Sequence, residues 1–340
     1  MKTIRMELGE RSYDIHVCRG ILSDAGKYLN LDRKVLVLTD SGVPEEYART
    51  IADKAKDALI VTVDEGEGSK SHATLGLVLE RMLAFGMTRT DCAVAVGGGV
   101  VGDLCGLAAS LYMRGIDFYN IPTTVLSQVD SSIGGKCAIN LGGVKNSVGA
   151  FYQPKCVLID PETLKTLPKR QISNGLAESV KMAVTSDSEL FSIFENEGVS
   201  EENIETIIVR SLMIKKHVVE NDEKESGLRK ILNFGHTFGH AVEADENLHG
   251  LYHGECVAIG MCPVLDESIR ERVKKVLKSL ELPTDYEGDV VRTCDFISHD
   301  KKCDGESISV VYSKEIGSFE IKKVSISDFC NCVKEYYTKI

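Results

Sequence analysis

The densest concentration of reactive side chains lies between residues 225 and 255. There Arg229, Asn233, His236 and His240 follow one another at spacings of four, three and four. That spacing predicts one shared helix face. His253 comes next, beside Gly254 and Glu255, at the predicted start of another helix. Histidines at i and i+4 can share a metal, or share a ligand between them. Glu178 and Lys181, at i and i+3 on a predicted helix over 171–184, add an acid and a base. One carboxylate with two or three imidazoles is the donor set of a zinc-type centre that keeps a position open. Isolated histidines are usually structural, and His16, His72, His217 and His299 are read so. Four within eighteen residues, at 236, 240, 249 and 253, point to chemistry instead.

Two glycine-rich regions precede this cluster. Gly97, Gly99 and Gly102 satisfy G-x-G-x-x-G, directly after an apolar run at 93–96 and directly before a helical pattern. Glycines there let the backbone approach a pyrophosphate at the positive end of a helix. Tight strand–helix turns also use glycine for packing, and this cluster follows a middle strand rather than the first. Farther on, 130–136 and 144–146 are polar and glycine-rich. Lys136 and Lys145, nine residues apart and read as lying in loops, suggest anion binding.

Alternating strand and helix patterns must position the glycine regions. An opening hairpin is expected from 2–8 and 11–18, with strands at 34–39, 59–63, 92–96, 117–121 and 156–159. Helical patterns lie at 45–57, 72–86 and from the glycines to about 113. This alternation implies a parallel sheet covered by helices. After Pro168 the pattern turns helical over 171–184, 187–196, 201–220, 229–247, 254–280 and 325–338. One hairpin, 307–323, interrupts it around a turn at 314–317. The predicted fold class is α/β: a Rossmann-like nucleotide-binding domain over 1–166, then a mostly helical domain over 167–340 for metal and substrate.

Composition narrows the partners. Forty basic against 51 acidic residues give the 340-residue chain a net charge of −11, which argues against a nucleic-acid binder. A small anionic substrate is still admissible, because it senses the local field of its cleft. The most apolar stretch, 92–113, contains Asp103 and five glycines, so no membrane span is expected. The first residues alternate charged and apolar side chains, unlike a secretory leader. Eleven cysteines without any C-x-x-C read as small buried residues in a reducing compartment, so a cytoplasmic location is expected.

Segments 97–103, 122–136, 145–154, 175–178, 227–240, 253–261 and 300–302 together resemble the 3-dehydroquinate synthase family of the sugar phosphate cyclase superfamily. The likeness covers nearly the whole chain. The stretch 140–144 departs from it, lacking the His-Pro pair and a glycine common there, as do Ser179, Met182 and Ala183. The resemblance implies NAD and one divalent metal, zinc or cobalt, the metal held by Glu178, His236 and His253. It gives His240 to the substrate, a choice that spacing leaves open. It assigns NAD to Asp40, Ser41, Gly42, Glu67, Gly68, Ser69, Lys70, Gly98, Gly99, Val100, Asp103, Thr123, Thr124, Lys145, Thr163, Leu164, Lys165, Thr166 and Asn174. It assigns substrate to Asp130, Lys136, Asn146, Lys181, Lys215, Arg229, Asn233, His240 and a lysine of Lys301-Lys302. Glu225 would accept a proton, with His240, Lys181 and Asp130 also catalytic. Arg114 would reach the site of a second subunit in a homodimer.

The implied substrate is the keto-acid phosphate 3-deoxy-D-arabino-heptulosonate 7-phosphate (DAHP), and the implied enzyme class a phosphate-eliminating carbon–oxygen lyase. Transient oxidation by NAD, β-elimination of phosphate, re-reduction and aldol closure would yield 3-dehydroquinate. A carboxylate and a phosphate in one cleft repel, and a cationic cluster offsets that repulsion. Arg229 can clamp a carboxylate bidentately. Sister cyclases that act on substrates without a carboxylate do not need this cation. A polyol dehydrogenase does not need the set Lys136, Lys145 and Asn146. A nucleotide-binding sensor leaves the histidines unexplained.

Overall fold

A computed structural model describes residues 1–225, 227–245, 250–299 and 307–338. Asp300, Lys301 and Lys302, and with them the expected substrate lysine, lie outside the described residues. The chain divides into two compact units, Met1–Pro168 and Lys169–Ile340.

The first unit is built on a seven-stranded sheet. Strands β1 (Lys2–Met6) and β2 (Tyr13–Val17) form the antiparallel opening hairpin. Then follow β3 (Lys34–Asp40), α1 (Glu45–Ala52), β4 (Asp57–Val63), α2 (His72–Ala84), β5 (Cys92–Gly97), α3 (Gly99–Leu111) and β6 (Asp117–Pro122). Strand β9 (Cys156–Ile159) completes the sheet, after a hairpin of β7 (Lys136–Leu141) and β8 (Val144–Phe151). The sheet order is β1-β2-β9-β6-β5-β3-β4, and every pairing from β2 to β4 is parallel. Both faces are covered, so the strands read as unbroken apolar runs. On β3, Val35 and Val37 pack with Ala48 and Ile51 of α1, while Leu36 and Leu38 pack with Leu75 and Val78 of α2 and Leu104 of α3.

From β3 the chain steps outward to β4, then returns to lay β5 on the other side of β3. That reversal opens a crevice at the carboxyl ends of β3 and β5, where open α/β sheets bind their ligands. The β7–β8 hairpin replaces the expected loop. Gly142 and Gly143, at φ 59° and 78°, form its two-residue turn, a conformation that requires positive φ at both positions. Lys136 opens β7 and Lys145 lies on β8, so neither sits in a loop as expected.

The second unit is mostly helical: α4 (Lys169–Ser186), α5 (Ser188–Asn196), α6 (Ile204–Asn221), α7 (His236–Ala244), α8 (His253–Met261), α9 (Glu267–Ser279), α10 (Val290–Asp295) and α11 (Ile326–Thr338). Strands β10 (Ser307–Tyr312) and β11 (Glu320–Ser325) form the expected hairpin before α11. Two long helices expected from apolar periodicity are each broken. Pro263, which has no N–H to donate, ends α8 in a short 3-10 turn, so 254–280 is two helices. The stretch 229–247 is a 3-10 turn, Leu228–Asn233, then α7, with Gly235 at φ 76° between them.

Candidate active site

Helix α4 is the centre of the second unit, buried without interruption from Ser173 to Thr185. A helix so enclosed needs a partner for every polar side chain it carries. Two of these are Glu178 and Lys181, 1% and 2% exposed. The Lys181 ammonium pairs with Glu178 Oε2 and donates to the Leu232 carbonyl at 2.8 Å. The other carboxylate oxygen, Oε1, lies 3.4 Å from His236 Nε2 and 3.4 Å from His253 Nε2. No hydrogen bond closes on it.

Backbone contact brings these three together. A Cβ on Gly254 would stand 1.9 Å from the Asn174 carbonyl oxygen, so only glycine lets the start of α8 lie against α4. The Asn174 side chain fastens the contact, accepting from the Gly254 N–H at 2.6 Å. On the other side, a Cβ on Gly235 would meet Met261 Cγ at 2.6 Å, so the turn before α7 closes directly on α8.

The ring orientations decide what this group can do. His236 Nδ1 is 3.1 Å from the Phe234 carbonyl. A carbonyl only accepts, so Nδ1 carries the proton and the neutral ring aims its Nε2 lone pair at Glu178. Burial, then the Lys181 ammonium, pushes His236 down to about 4 and keeps it neutral. A lone pair facing a carboxylate oxygen at this distance calls for a cation between them. Ligands about 2.1 Å from a tetrahedral zinc lie about 3.4 Å from one another, the separation found on both sides of Glu178. All three ligand atoms fall within 4.8 Å of one another. Burial opposes the charge on Glu178, but the Lys181 ammonium outweighs it and holds the carboxyl well below its usual range. Burial likewise disfavours charge on His253, yet Glu178 and Glu243 raise that ring to about 9. The residues therefore fit a divalent metal, which would displace this proton on binding.

His240 stands beside the group, its ring centroid 5.1 Å from that of His236 and 5.9 Å from that of His253. Arg229 and Asn233 do not share its helix, contrary to expectation; both lie on the 3-10 turn before Gly235. Arg229 is 2% exposed, its backbone N–H donating to Asp222 and its guanidinium to the Glu223 carbonyl. Asn233 Nδ2 donates to Glu225 Oε1 at 2.8 Å, orienting that carboxylate on a backbone at φ 63°. Lys215 is buried on α6.

In the first unit, Asp40, Gly98, Gly99, Val100, Thr123 and Thr124 lie at or just beyond the carboxyl ends of β3, β5 and β6. Glu67 to Lys70 follow β4, and Thr163 to Thr166 follow β9. Helix α3 starts at Gly99 with its N-terminus at the crevice. Lys70, 5% exposed, joins Asp103 Oδ2 at 2.6 Å to the Asn146 side-chain carbonyl. Asp130 lies on a π-helical turn, Ser127–Ser131, and Lys136 is exposed beyond it.

Residues 60–174 match the 3-dehydroquinate synthase N-terminal family, and residues 175–303 match the 3-dehydroquinate synthase C-terminal family. The chain belongs to the 3-dehydroquinate synthase family. The family's member from Clostridium acetobutylicum is 42% identical, across 95% of this chain and 97% of that protein. A 2-deoxy-scyllo-inosose synthase, solved with carbaglucose-6-phosphate, NAD+ and Co2+, superposes with a TM-score of 0.89 at 26% identity, over 98% of this chain and 100% of that one. A 2-epi-5-epi-valiolone synthase from Streptomyces hygroscopicus, solved with NAD+ and Zn2+, gives 0.87 at 29%, over 98% and 99%.

Glu243, Glu255 and Asn140 also shape this site, although the sequence assigns none of them a role there. Glu243 lies 3.3 Å from His253 Nδ1 and continues the 236, 240 spacing on α7, a signal that was available. Glu255 caps α8 through the Tyr252 N–H and is gripped by Nε and Nη2 of Arg170, at 2.7 and 2.8 Å. Asn140, in the divergent stretch, donates to Glu67 at 2.9 Å and accepts the Asn146 N–H at 2.8 Å. The Gly254 contact makes a prediction. Gly254→Ala should cost about 1–3 kcal/mol of stability, as overpacking does, and weaken Co2+ binding at least about tenfold by moving His253 from Glu178. Denaturant unfolding and a Co2+ titration check both; unchanged metal affinity would mean that this contact does not position His253.

Proposed function

We propose that this chain is a 3-dehydroquinate synthase, converting DAHP to 3-dehydroquinate and phosphate. The observation that carries the reading is the 42% identity to a named member across both units. When bound, NAD accepts and returns a hydride while the divalent metal polarises the hydroxyl being oxidised. Glu178, His236 and His253 would hold the metal. The crevice of the first unit would hold NAD, with its diphosphate on the N-terminus of α3. This assigns nucleotide binding to the first unit, and metal and most substrate contacts to the second.

The chain's own groups then have separate tasks. Oxidation of the ring hydroxyl acidifies the neighbouring carbon, so phosphate leaves by β-elimination. Glu225, whose carboxylate accepts from the Asn233 amide, would accept a proton. Lys181, whose side-chain nitrogen donates to Glu178 and the Leu232 carbonyl, would stabilise a developing oxyanion. Asp130 and His240 would orient substrate hydroxyls. Lys136, Asn146, Lys215 and Arg229 would balance the carboxylate and phosphate, with either Lys301 or Lys302 contributing. Closing the open chain is an orientation effect.

Fold alone does not separate this activity from the two sister cyclases, which superpose over almost the whole chain. Arg229 and Lys215, both buried cations of the second unit, favour an acidic substrate, because charge-assisted hydrogen bonds to a carboxylate are the strong ones. The test is phosphate release from DAHP against release from a hexose 6-phosphate lacking the carboxylate. DAHP should be preferred by at least about a hundredfold; preference for the hexose phosphate would make this a sister cyclase. A homodimer in which exposed Arg114 reaches the second copy belongs to the same reading. So does a cytoplasmic location, which suits ten free thiols among the described residues. No helix among the described residues is long and apolar enough to cross a membrane.

A further inference from the structure

The two histidines facing Glu178 are backed differently. His236 Nδ1 meets a backbone carbonyl, that of Phe234, at 3.1 Å. His253 Nδ1 meets a carboxylate, Glu243 Oε2, at 3.3 Å. Both rings thereby present Nε2 to the same oxygen of Glu178. Glu243 comes from α7, the helix that begins with His236, whereas His253 begins α8. One side chain thus ties the ring of one helix to the helix that carries the other. Its own side chain is 18% exposed and that of His253 29%, so the contact is partly shielded from water.

We infer that Glu243 is a positioning residue that fixes the rotation and tautomer of His253 and thereby sets the metal affinity of the site. The inference rests on the metal reading of Glu178, His236 and His253. A carboxylate accepting from Nδ1–H leaves the lone pair on Nε2, and its charge makes that nitrogen a stronger donor. A carbonyl backing, as at His236, fixes the tautomer without adding charge. Glu243 also lies in a second group with His240 and His253 whose ligand atoms fall within 4.8 Å. The alternative is therefore that Glu243 is itself a ligand, and the test has to separate the two roles.

The experiment strips the full-length protein with a chelator, then titrates it with Co2+ against a chromophoric competitor while recording the visible Co2+ spectrum. Wild type, Glu243→Gln, Glu243→Asp and His236→Ala are compared, and metal-free thermal unfolding checks that each folds. Glu243→Gln keeps an acceptor but loses the charge. It should bind Co2+ about 10- to 100-fold more weakly, as loss of an outer-shell partner does, with the four-coordinate spectrum retained. Glu243→Asp should recover part of the affinity. A merely structural role would shift metal-free unfolding and leave affinity and spectrum alone, which would overturn the inference. Loss of all binding in Glu243→Gln, matching His236→Ala, would make Glu243 a ligand and also overturn it. If wild type binds no Co2+, the metal reading itself fails, a result distinct from the other two.

Discussion

His236→Ala should fold, bind no stoichiometric metal and turn over DAHP about a thousandfold more slowly or worse, the several kcal/mol that a Lewis acid supplies. The direction follows from the ring's place. His236 is neutral, held in one tautomer by the Phe234 carbonyl, and presents Nε2 to Glu178. Removing it leaves one carboxylate and one imidazole, too few donors for a stable site. It also leaves the buried Glu178 with Lys181 and His253 as its charged neighbours, so the apo-protein should not collapse. Metal content by elemental analysis, measured beside activity, decides the matter. Full metal content in His236→Ala would remove His236 from the ligand set.

Arg229→Ala should lose about 2–4 kcal/mol of transition-state binding, roughly 30- to 1000-fold in kcat/KM for DAHP. Arg229→Lys should restore only part, since an ammonium cannot form the bidentate pair. The side chain is buried on the 3-10 turn before Gly235, and its guanidinium already meets the Glu223 carbonyl. A substrate carboxylate would meet the guanidinium as a bidentate partner. The comparison needs an analogue without the carboxylate, assayed in wild type and variant. A loss confined to DAHP supports carboxylate selection. An equal loss for both compounds would give Arg229 a structural role and weaken the case against a sister cyclase.

Much of the first unit is legible in the sequence because its strands are short, apolar and separated by helical patterns. The G-x-G-x-x-G cluster is readable only in context, and its setting after a middle strand becomes meaningful once the β3–β5 reversal is known. The β7–β8 hairpin is hidden because β8 opens with the exposed run Val144-Lys145-Asn146-Ser147, and on β7 only Cys137 and Ile139 mark a buried face. Its turn is nonetheless written in Leu141-Gly142-Gly143-Val144. In the second unit, apolar periodicity passes through short 3-10 turns without a break, so Arg229 to His240 reads as one helix. Gly235 and Pro263 mark the true ends. Spacing alone also leaves open which histidines face the carboxylate. That depends on close backbone approach at Gly254, a contact 80 residues apart in sequence from Asn174.

The most direct measurement supplies DAHP with Co2+ and NAD+ at about one-tenth of the substrate concentration, and follows phosphate, 3-dehydroquinate and NADH together. On the proposed reading hydride would be taken and returned within each turnover, so NAD would act as a catalyst. Phosphate and 3-dehydroquinate should appear in equal amounts, several times the NAD present, without NADH accumulating. NADH rising in proportion to DAHP consumed, with phosphate retained on the product, would contradict the account and make this chain a dehydrogenase.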